Sequence, residues 1–573
     1  MKLAPVWKHR AIDAQLTRDV ALGISRPVEI AQILVGRGFD SIEKTKDFLS
    51  QGLDQLRSPY ELAGVDQASE KIASHILQGD LIFIHGDFDA DGITSAALFD
   101  VFLHSVGAKV HSFVPNRLVE GHGISIRSIE MALEKDAKLF VTCDCGSSDL
   151  DQIQALRKHG VEVIITDHHQ IPNGFDPNVI LVNPQNQELD QAWRELSGVG
   201  VVFVVIMAVR KALREKGYFT DQIPEPNLKE LLDIVALGTI ADMAPLTGQN
   251  RTLVVNGLKQ LATTVSPGIT AMMEKSGLDA KSTFSSSDVG FRLAPRINAA
   301  ARLGYSEQAL ELLRSKDLGR VFEISDQVER WNHQRKQILD QMMNVADSQA
   351  KAQIQSGNAC VWIASKDFHP GLVGLLAQKL SKTYHAPAFI FTLDGEVAKG
   401  SARCSGAAFH LVRALEACSE HLHAFGGHRE AGGCSLPAEK LDIFQKDFFQ
   451  YIALHEMSQQ KQIEIDASPG FQYIHEQFLA YLHELGPFGI GNPEPVFFAK
   501  TQIVGQAREV GSNHLKMNVM DSSEKVMGAM GFNMWQEYCQ LGRPSTLEIL
   551  FFPEYNVYRG RREIYLRLLG IRV

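Results

Sequence analysis

Long apolar runs are missing from this sequence. The longest, Val199 to Val209, is too short to cross a bilayer and reads as a buried helix. The first residues carry Lys2, Lys8, Arg10 and Asp13 without an apolar core segment, so no secretory leader is expected there. Cysteine is scarce. The seven cysteines are scattered and odd in number, which argues against a disulfide framework and for a reducing, cytoplasmic setting. Cys143 and Cys145 lack the spacing of a zinc knuckle and read as small strand residues flanking Asp144. A basic excess is missing too. Lys+Arg number 57 against 67 Asp+Glu, a formal net charge of -10, so only a local cluster of cations could speak for nucleic acid. A hydrophobic fraction of 45% and a charged fraction of 22% are those of an ordinary globular chain. At 573 residues it is too long for one core and should divide into about three to four domains.

What the sequence does have is an acidic motif, His85-Gly86-Asp87-Phe88-Asp89-Ala90-Asp91-Gly92. It follows the apolar run Leu81 to Ile84, which reads as a buried parallel strand, and precedes an apolar helix. An extended chain would project Asp87, Asp89 and Asp91 to one side, where they repel and raise one another's pKa. A cation relieves that. Oxygen donors suit Mg²⁺ or Mn²⁺, and the neighbouring imidazole of His85 favours Mn²⁺. Two more strands end in chemistry of the same kind. Lys138 to Thr142 runs into Asp144, and Val161 to Thr166 runs into Asp167-His168-His169. Right-handed crossovers bring such strand ends to one edge of a sheet, where open α/β folds bind ligands. Asp242 follows another apolar helix.

Candidate phosphate ligands lie elsewhere. Arg117 stands just beyond the strand Lys109 to Val114, followed by the glycine-rich Glu120-Gly121-His122-Gly123. Arg296, Asn298 and Arg302 lie among small residues, which permits close approach to a phosphate. Residues 306–350 read as a long connecting helix. Beyond it, strands Cys360 to Ala364 and Ala388 to Phe391 flank a helix expected to carry Pro370 in its first turn. Gly400-Ser401-Ala402-Arg403 and the glycine-rich stretch around His428 suit an anion. The last hundred residues contain short apolar stretches, among them Val526 to Phe532 and Leu547 to Phe552. Their tail interleaves Phe551, Phe552, Tyr555, Tyr558 and Tyr565 with Arg559, Arg561, Arg562 and Arg567. Short strands with basic and aromatic faces point to a small β-barrel for single-stranded nucleic acid.

Taken together, the Asp-x-Asp-x-Asp motif, Asp144, Asp167-His168-His169 and Asp242 resemble the DHH phosphoesterase superfamily. Gly-Gly-His428 resembles its companion DHHA1 domain. Val114-Pro115-Asn116-Arg117, Pro295-Arg296-Ile297-Asn298-Ala299-Ala300 and the Gly486 to Pro495 segment narrow the resemblance to the RecJ family, single-strand-specific 5′→3′ DNA exonucleases of recombination and repair. The family commonly has glycine where this chain has Ala301 and Ala402. The resemblance implies an α/β, multidomain fold: an N-terminal helical arm at 1–60, a parallel-sheet DHH domain at 61–310, a connecting helix at 311–355, a smaller α/β DHHA1 domain at 356–459, and an OB-like barrel at 460–573. It also implies two divalent ions, Mg²⁺ or Mn²⁺, on Asp89, Asp91, Asp144, His168 and Asp242. His85 and Asp87 would bind the ions or support those that do, and His169 would act at the scissile phosphate. Arg117, Arg296, Asn298, Arg302, Ser401, Arg403 and His428 would hold the DNA backbone and its 5′-phosphate. The expected partners are single-stranded DNA, single-stranded DNA-binding protein and a RecQ-type helicase, with no membrane and a monomeric protein. Two other readings are a small-molecule or oligonucleotide DHH phosphoesterase and a non-catalytic single-strand-binding relative. The third domain argues against the first, and the complete acid and histidine set against the second.

Overall fold

The computed structural model describes residues 5–186, 189, 191–279, 282–404, 409–455, 462–558 and 561–573. Two compact units emerge: Leu56–Gln459, and Met1–Gln55 together with Gln460–Val573. Among the described residues no helix is long and apolar enough to cross a membrane.

The larger unit begins with a five-stranded sheet in which every pairing is parallel. Its order is Lys109–Phe113, Leu81–Gly86, Leu139–Cys143, Glu162–Thr166, Ile180–Val182. The central strands are apolar along nearly their whole length because helices cover both faces of such a sheet. Phe83 and Phe140 are fully buried, their rings stacked 5.1 Å apart on adjacent strands. The register aligns Gly86 with Cys143, and Cys143 with Thr166. The ladder continues one residue further. Asp87 N–H donates to the Cys143 carbonyl (3.1 Å), Asp144 N–H to Thr166 (2.9 Å), and Asp167 N–H to Val182 (3.1 Å). Three aspartates from distant parts of the sequence therefore stand in one row at the carboxyl edge.

Helix Leu318–Gln355 leads to a second, mixed sheet of order Ala424–Gly427, Ala431–Pro437, Val397–Arg403, Ala388–Asp394, Val361–Ser365. Its core is aromatic, with Trp362 against Phe389, Phe391, Phe444 and Phe448. Along Val397–Arg403 the strand alternation sends Ala398 and Ala402 into this core and leaves Ser401 and Arg403 on the opposite face. The neighbouring helix starts at Val373, later than Pro370 suggested.

The smaller unit contains a closed five-stranded barrel of order Phe497–Val510, His514–Met520, Val526–Gly531, Arg561–Arg572, Thr546–Tyr558. The N-terminal helices are not a separate arm. Ile30, Ile33 and Leu34 are buried in the same core as Phe478, Phe497 and Phe551. Strand Val6–His9 pairs in parallel with Gln462–Ile465. Helices of this length are marginal alone and gain stability by burying an apolar face. Asp466, buried, accepts from Arg10 (3.1 Å) and Arg37 (3.2 Å). Asn492 of the glycine- and proline-rich segment accepts from Arg37 (3.1 Å) and donates to the Leu485 and Pro487 carbonyls.

Candidate metal centre

The acids do not converge by strand alternation. After Asp87 the chain leaves the sheet, and Asp89 caps helix Ala90–Ser105, accepting from the N–H groups of Asp91 (2.9 Å) and Gly92 (3.2 Å). Asp91 sits in the first turn. Gly92 packs so closely that a Cβ would lie 2.5 Å from Asp87 backbone atoms. Asp91 is brought beside Asp87 and Asp89 because a capped helix folds back over the strand end, not because the chain stays extended.

Asp144 follows its strand with φ +66°, a left-handed conformation that aspartate adopts more readily than most residues and that recurs at functional sites. Asp91 receives the N–H groups of Gly198 (2.8 Å) and Val199 (3.0 Å), the positive end of helix Gly198–Glu215. A Cβ on Gly198 would strike Asp144 Oδ1 at 2.4 Å, so only glycine allows that helix to reach both acids. Asp242 caps the C-terminus of helix Leu232–Ala241.

Two adjacent clusters result. Asp87, Asp89 and Asp144 bring carboxylate oxygens together in one; Asp91, His168 and Asp242 form the other. His168 Nε2 lies 3.1 Å from Asp144 Oδ1, which ties the clusters together. Burial holds Asp87, Asp91, Asp144 and Asp242 above the usual carboxylate range, with neighbouring carboxylates adding to the effect; Asp91 is pushed up to about 7. His168 moves up although burial opposes its charge, because Asp242 and Asp91 face it. His85 is fully buried, with Nε2 3.0 Å from the Gly123 carbonyl and a pKa lowered by burial to about 4. His85 Nδ1, Asp87 Oδ1, Asp144 Oδ1 and His168 Nε2 are buried and have no hydrogen-bond partner among the described residues. Unpartnered oxygens and imidazole nitrogens in one pocket fit a hard or borderline divalent cation.

His169 is half-exposed, its Nδ1 2.8 Å from Asp167 Oδ1. Asp167 also accepts from the N–H groups of His168, His169 and Ser147, and despite burial it is held below the usual carboxylate range by His169. One contributor was invisible in sequence. His122 Nδ1 lies 2.9 Å from Asp87 Oδ2, and that contact raises its pKa to about 9. Its only signal was a histidine between two glycines, both at positive φ, in the loop after Arg117.

A second charged group gathers beside the acids. The Arg117 guanidinium lies 4.7 Å above the Phe88 ring and feels the charges of Asp89 and Asp87. Arg302 donates to the Gly371 carbonyl (3.1 Å). Burial, with Arg117, Arg403 and Arg335 nearby, lowers its pKa to about 9. Arg403 donates to Ser401 Oγ (2.9 Å), and both flank Gly374 in the first turn of helix Val373–Tyr384. The exposed His428 is close enough to influence Asp242.

Arg296 is not part of this group. It is buried, with Nε 2.7 Å from Glu329, Nη2 donating to the Lys275 carbonyl and Nη1 to that of Arg292. On helix Ala294–Arg302, Asn298 and Arg302 share a face at i, i+4, while Arg296 points elsewhere and locks helices together. Asn298 is half-buried and makes no side-chain hydrogen bond among the described residues. In the barrel, Phe551 and Phe552 are core, and Arg567 is committed to Glu494 and Glu554. Tyr555 remains, with Arg562 stacked 3.5 Å over its ring. Arg559 and the side chains of Tyr558 and Arg561 lie outside the described residues.

Known proteins share this arrangement. Residues 81–239 match the DHH family N-terminal domain, 356–454 the DHHA1 domain and 465–569 the RecJ OB domain. The chain is 34% identical over 540 residues to the single-stranded-DNA-specific exonuclease RecJ of Haemophilus influenzae, spanning 92% of this chain and 93% of that protein. The chain belongs to the RecJ family. RecJ of Bacillus subtilis is 32% identical over 570 residues, 98% of this chain and 70% of that one. The crystal structure of RecJ from Thermus thermophilus with Mn²⁺ matches at TM-score 0.84 and 27% identity, covering 100% of this chain and 80% of that one. A second RecJ structure from that organism holds Mg²⁺, at TM-score 0.76 and 25% identity.

Proposed function

We infer that the protein is a metal-dependent exonuclease that removes 5′-mononucleotides from single-stranded DNA in the 5′→3′ direction. The observation that carries this reading is the pairing of opposite needs in one unit. Carboxylates that no lysine or arginine pairs with among the described residues stand beside half-buried guanidiniums without an acidic ion pair, and a metal and a phosphate satisfy both. Asp87, Asp89 and Asp144 would hold one ion, and Asp91, His168 and Asp242 the other, with His85 Nδ1 a further donor. Two such ions supply a nucleophilic water at neutral pH and offset the charge that builds on the phosphoryl oxygens. Asp167 fixes the His169 ring by Nδ1, leaving Nε2 to face the scissile phosphate. Gly198 and Val199 N–H aim the Asp91 carboxylate and favour its ionised form against burial. Arg117, Arg302, Arg403 and Ser401 bind the 5′-phosphate, Arg403 offering a bidentate fork. Asn298 and His428 line the approach of the strand.

The barrel unit supports a polymeric substrate over a small phosphoester. This reading implies a role in recombination and repair within the cytoplasm, with single-stranded DNA-binding protein and a RecQ-type helicase as partners. The test is digestion of end-labelled single and double strands with Mn²⁺ or Mg²⁺. Mononucleotides should appear from the 5′ end of single strands only; release from 3′ ends, or equal attack on duplex, contradicts the reading.

A further inference from the structure

Helix Leu318–Gln355 was expected only to connect two domains, yet it carries Trp331, one ring of a stacked aromatic pair beside the guanidinium group. Trp331 lies flat against Tyr305, ring centroids 4.1 Å apart and planes 7° off parallel. Tyr305 remains 38% exposed. Arg335 is one turn further along the same helix face as Trp331. Its Nε is buried without a hydrogen-bond partner among the described residues, while Nη2 donates to Asn332 Oδ1 (3.0 Å). Its charge reaches Arg302, together with those of Arg117 and Arg403. The other side of the pair is anchored to the same place. Asn116, next to Arg117, donates to the carbonyl of Gly304, next to Tyr305 (3.2 Å).

Packing accounts for two rings stacking. It does not account for a fourth guanidinium, without an ion pair and partly desolvated, one turn from Trp331, whose stacking partner Tyr305 is exposed. Phosphate and base are five to six bonds apart in a nucleotide but differ wholly in chemistry, one wanting cations and the other a flat apolar face. We propose that the Tyr305–Trp331 pair is a stacking site for one base of the bound single strand, and that Arg335 holds the phosphate of that nucleotide. The proposal rests on the reading of the guanidinium group as the site of the strand's 5′ end.

The probe is a set of 5′-phosphorylated oligothymidylates in which one abasic residue is moved stepwise from the 5′ end, bound to the full chain in EDTA. Wild type should lose about tenfold in affinity when the abasic residue occupies one particular position, and little at the others. Trp331→Leu, which fills the space without a π face, should weaken the intact oligonucleotide by a similar factor and erase the positional dip. Trp331→Phe should keep it. Arg335→Gln should flatten the dependence of log affinity on log salt by about 0.7, one phosphate contact on a single strand. Thermal unfolding of each variant identifies any that fails to fold, in which case Trp331→Phe and Arg335→Lys are compared with wild type for the dip and the slope. A dip unchanged in Trp331→Leu overturns the base site, and an unchanged salt slope in Arg335→Gln overturns the phosphate contact. A wild type that binds no 5′-phosphorylated single strand overturns the functional reading itself.

Discussion

At the sheet edge Asp87, Asp91 and Asp144 are buried beside the half-buried Asp242, and among the described residues no lysine or arginine forms an ion pair with them. A short way off, Arg117, Arg302, Arg335 and Arg403 gather with no carboxylate ion pair among the described residues. Crowding desolvated charge of one sign is costly, so each region is built for a ligand of the other sign. The regions differ in how they cope without it. Carboxylates can take up protons, and Asp91 moves up to about 7. Guanidiniums cannot give theirs up at neutral pH, since Arg302 falls only to about 9. The acidic region is therefore adjustable by pH and metal, whereas the basic region stays charged and waits for phosphate.

Removing Asp144, which belongs to one cluster and touches His168 of the other, tests that contrast most severely. Asp144→Ala should cut Mn²⁺-dependent hydrolysis by at least about a hundredfold, assayed on labelled single strands, while the thermal midpoint without metal does not fall. A folded variant with wild-type turnover would refute the two-cluster assignment. On the basic side, Arg403→Ala should lower the rate on 5′-phosphorylated strands by about ten- to a hundredfold and narrow the preference over 5′-hydroxyl ends. An unchanged ratio takes Arg403 out of the end site.

A protein of residues 56–459 should still cleave very short strands but bind long ones about tenfold or more weakly. Both flanks must be removed, because residues 1–55 and 460–573 share one core. Equal affinity with and without the barrel unit would deny it a role in binding DNA. In metal-free protein, Asp91 has a folded pKa above its unfolded value of 3.8. The folded state then binds more protons between pH about 4 and about 7, and stability falls as pH rises through that window. Thermal melts in EDTA should show this decline, with Mn²⁺ reversing it at pH 7.5. The smallest effect concerns Ala402→Gly. Its methyl faces the core rather than the phosphate, so the change should cost about 0.5–1 kcal/mol in denaturant melts and leave the 5′-phosphate preference intact.

Ala402 and Arg296 show where sequence reading reached its limit. Both stand in motifs that suggest phosphate, but strand alternation turns Ala402 inward, and helical spacing sets Arg296 away from Asn298 and Arg302. His122 had no motif to announce it, because its partner Asp87 lies 35 positions earlier and is reached only through a loop. The backbone donors Gly198 and Val199 were equally hidden inside what reads as a plain apolar helix.

By itself the sequence determined that three apolar strands end in acids and histidines, that the fold is α/β, and that the chain is of the RecJ kind. Those properties are local, since strand burial, helix capping and motif spacing all act within about ten residues. Only the tertiary structure decided which of the charged residues share a space. It set the Asp89 cap against the Asp87 strand end, the N-terminus of Gly198–Glu215 against Asp91, and Arg335 of the long helix beside Arg302. Coulombic interaction and desolvation depend on distance through space, and distance along the chain does not predict it.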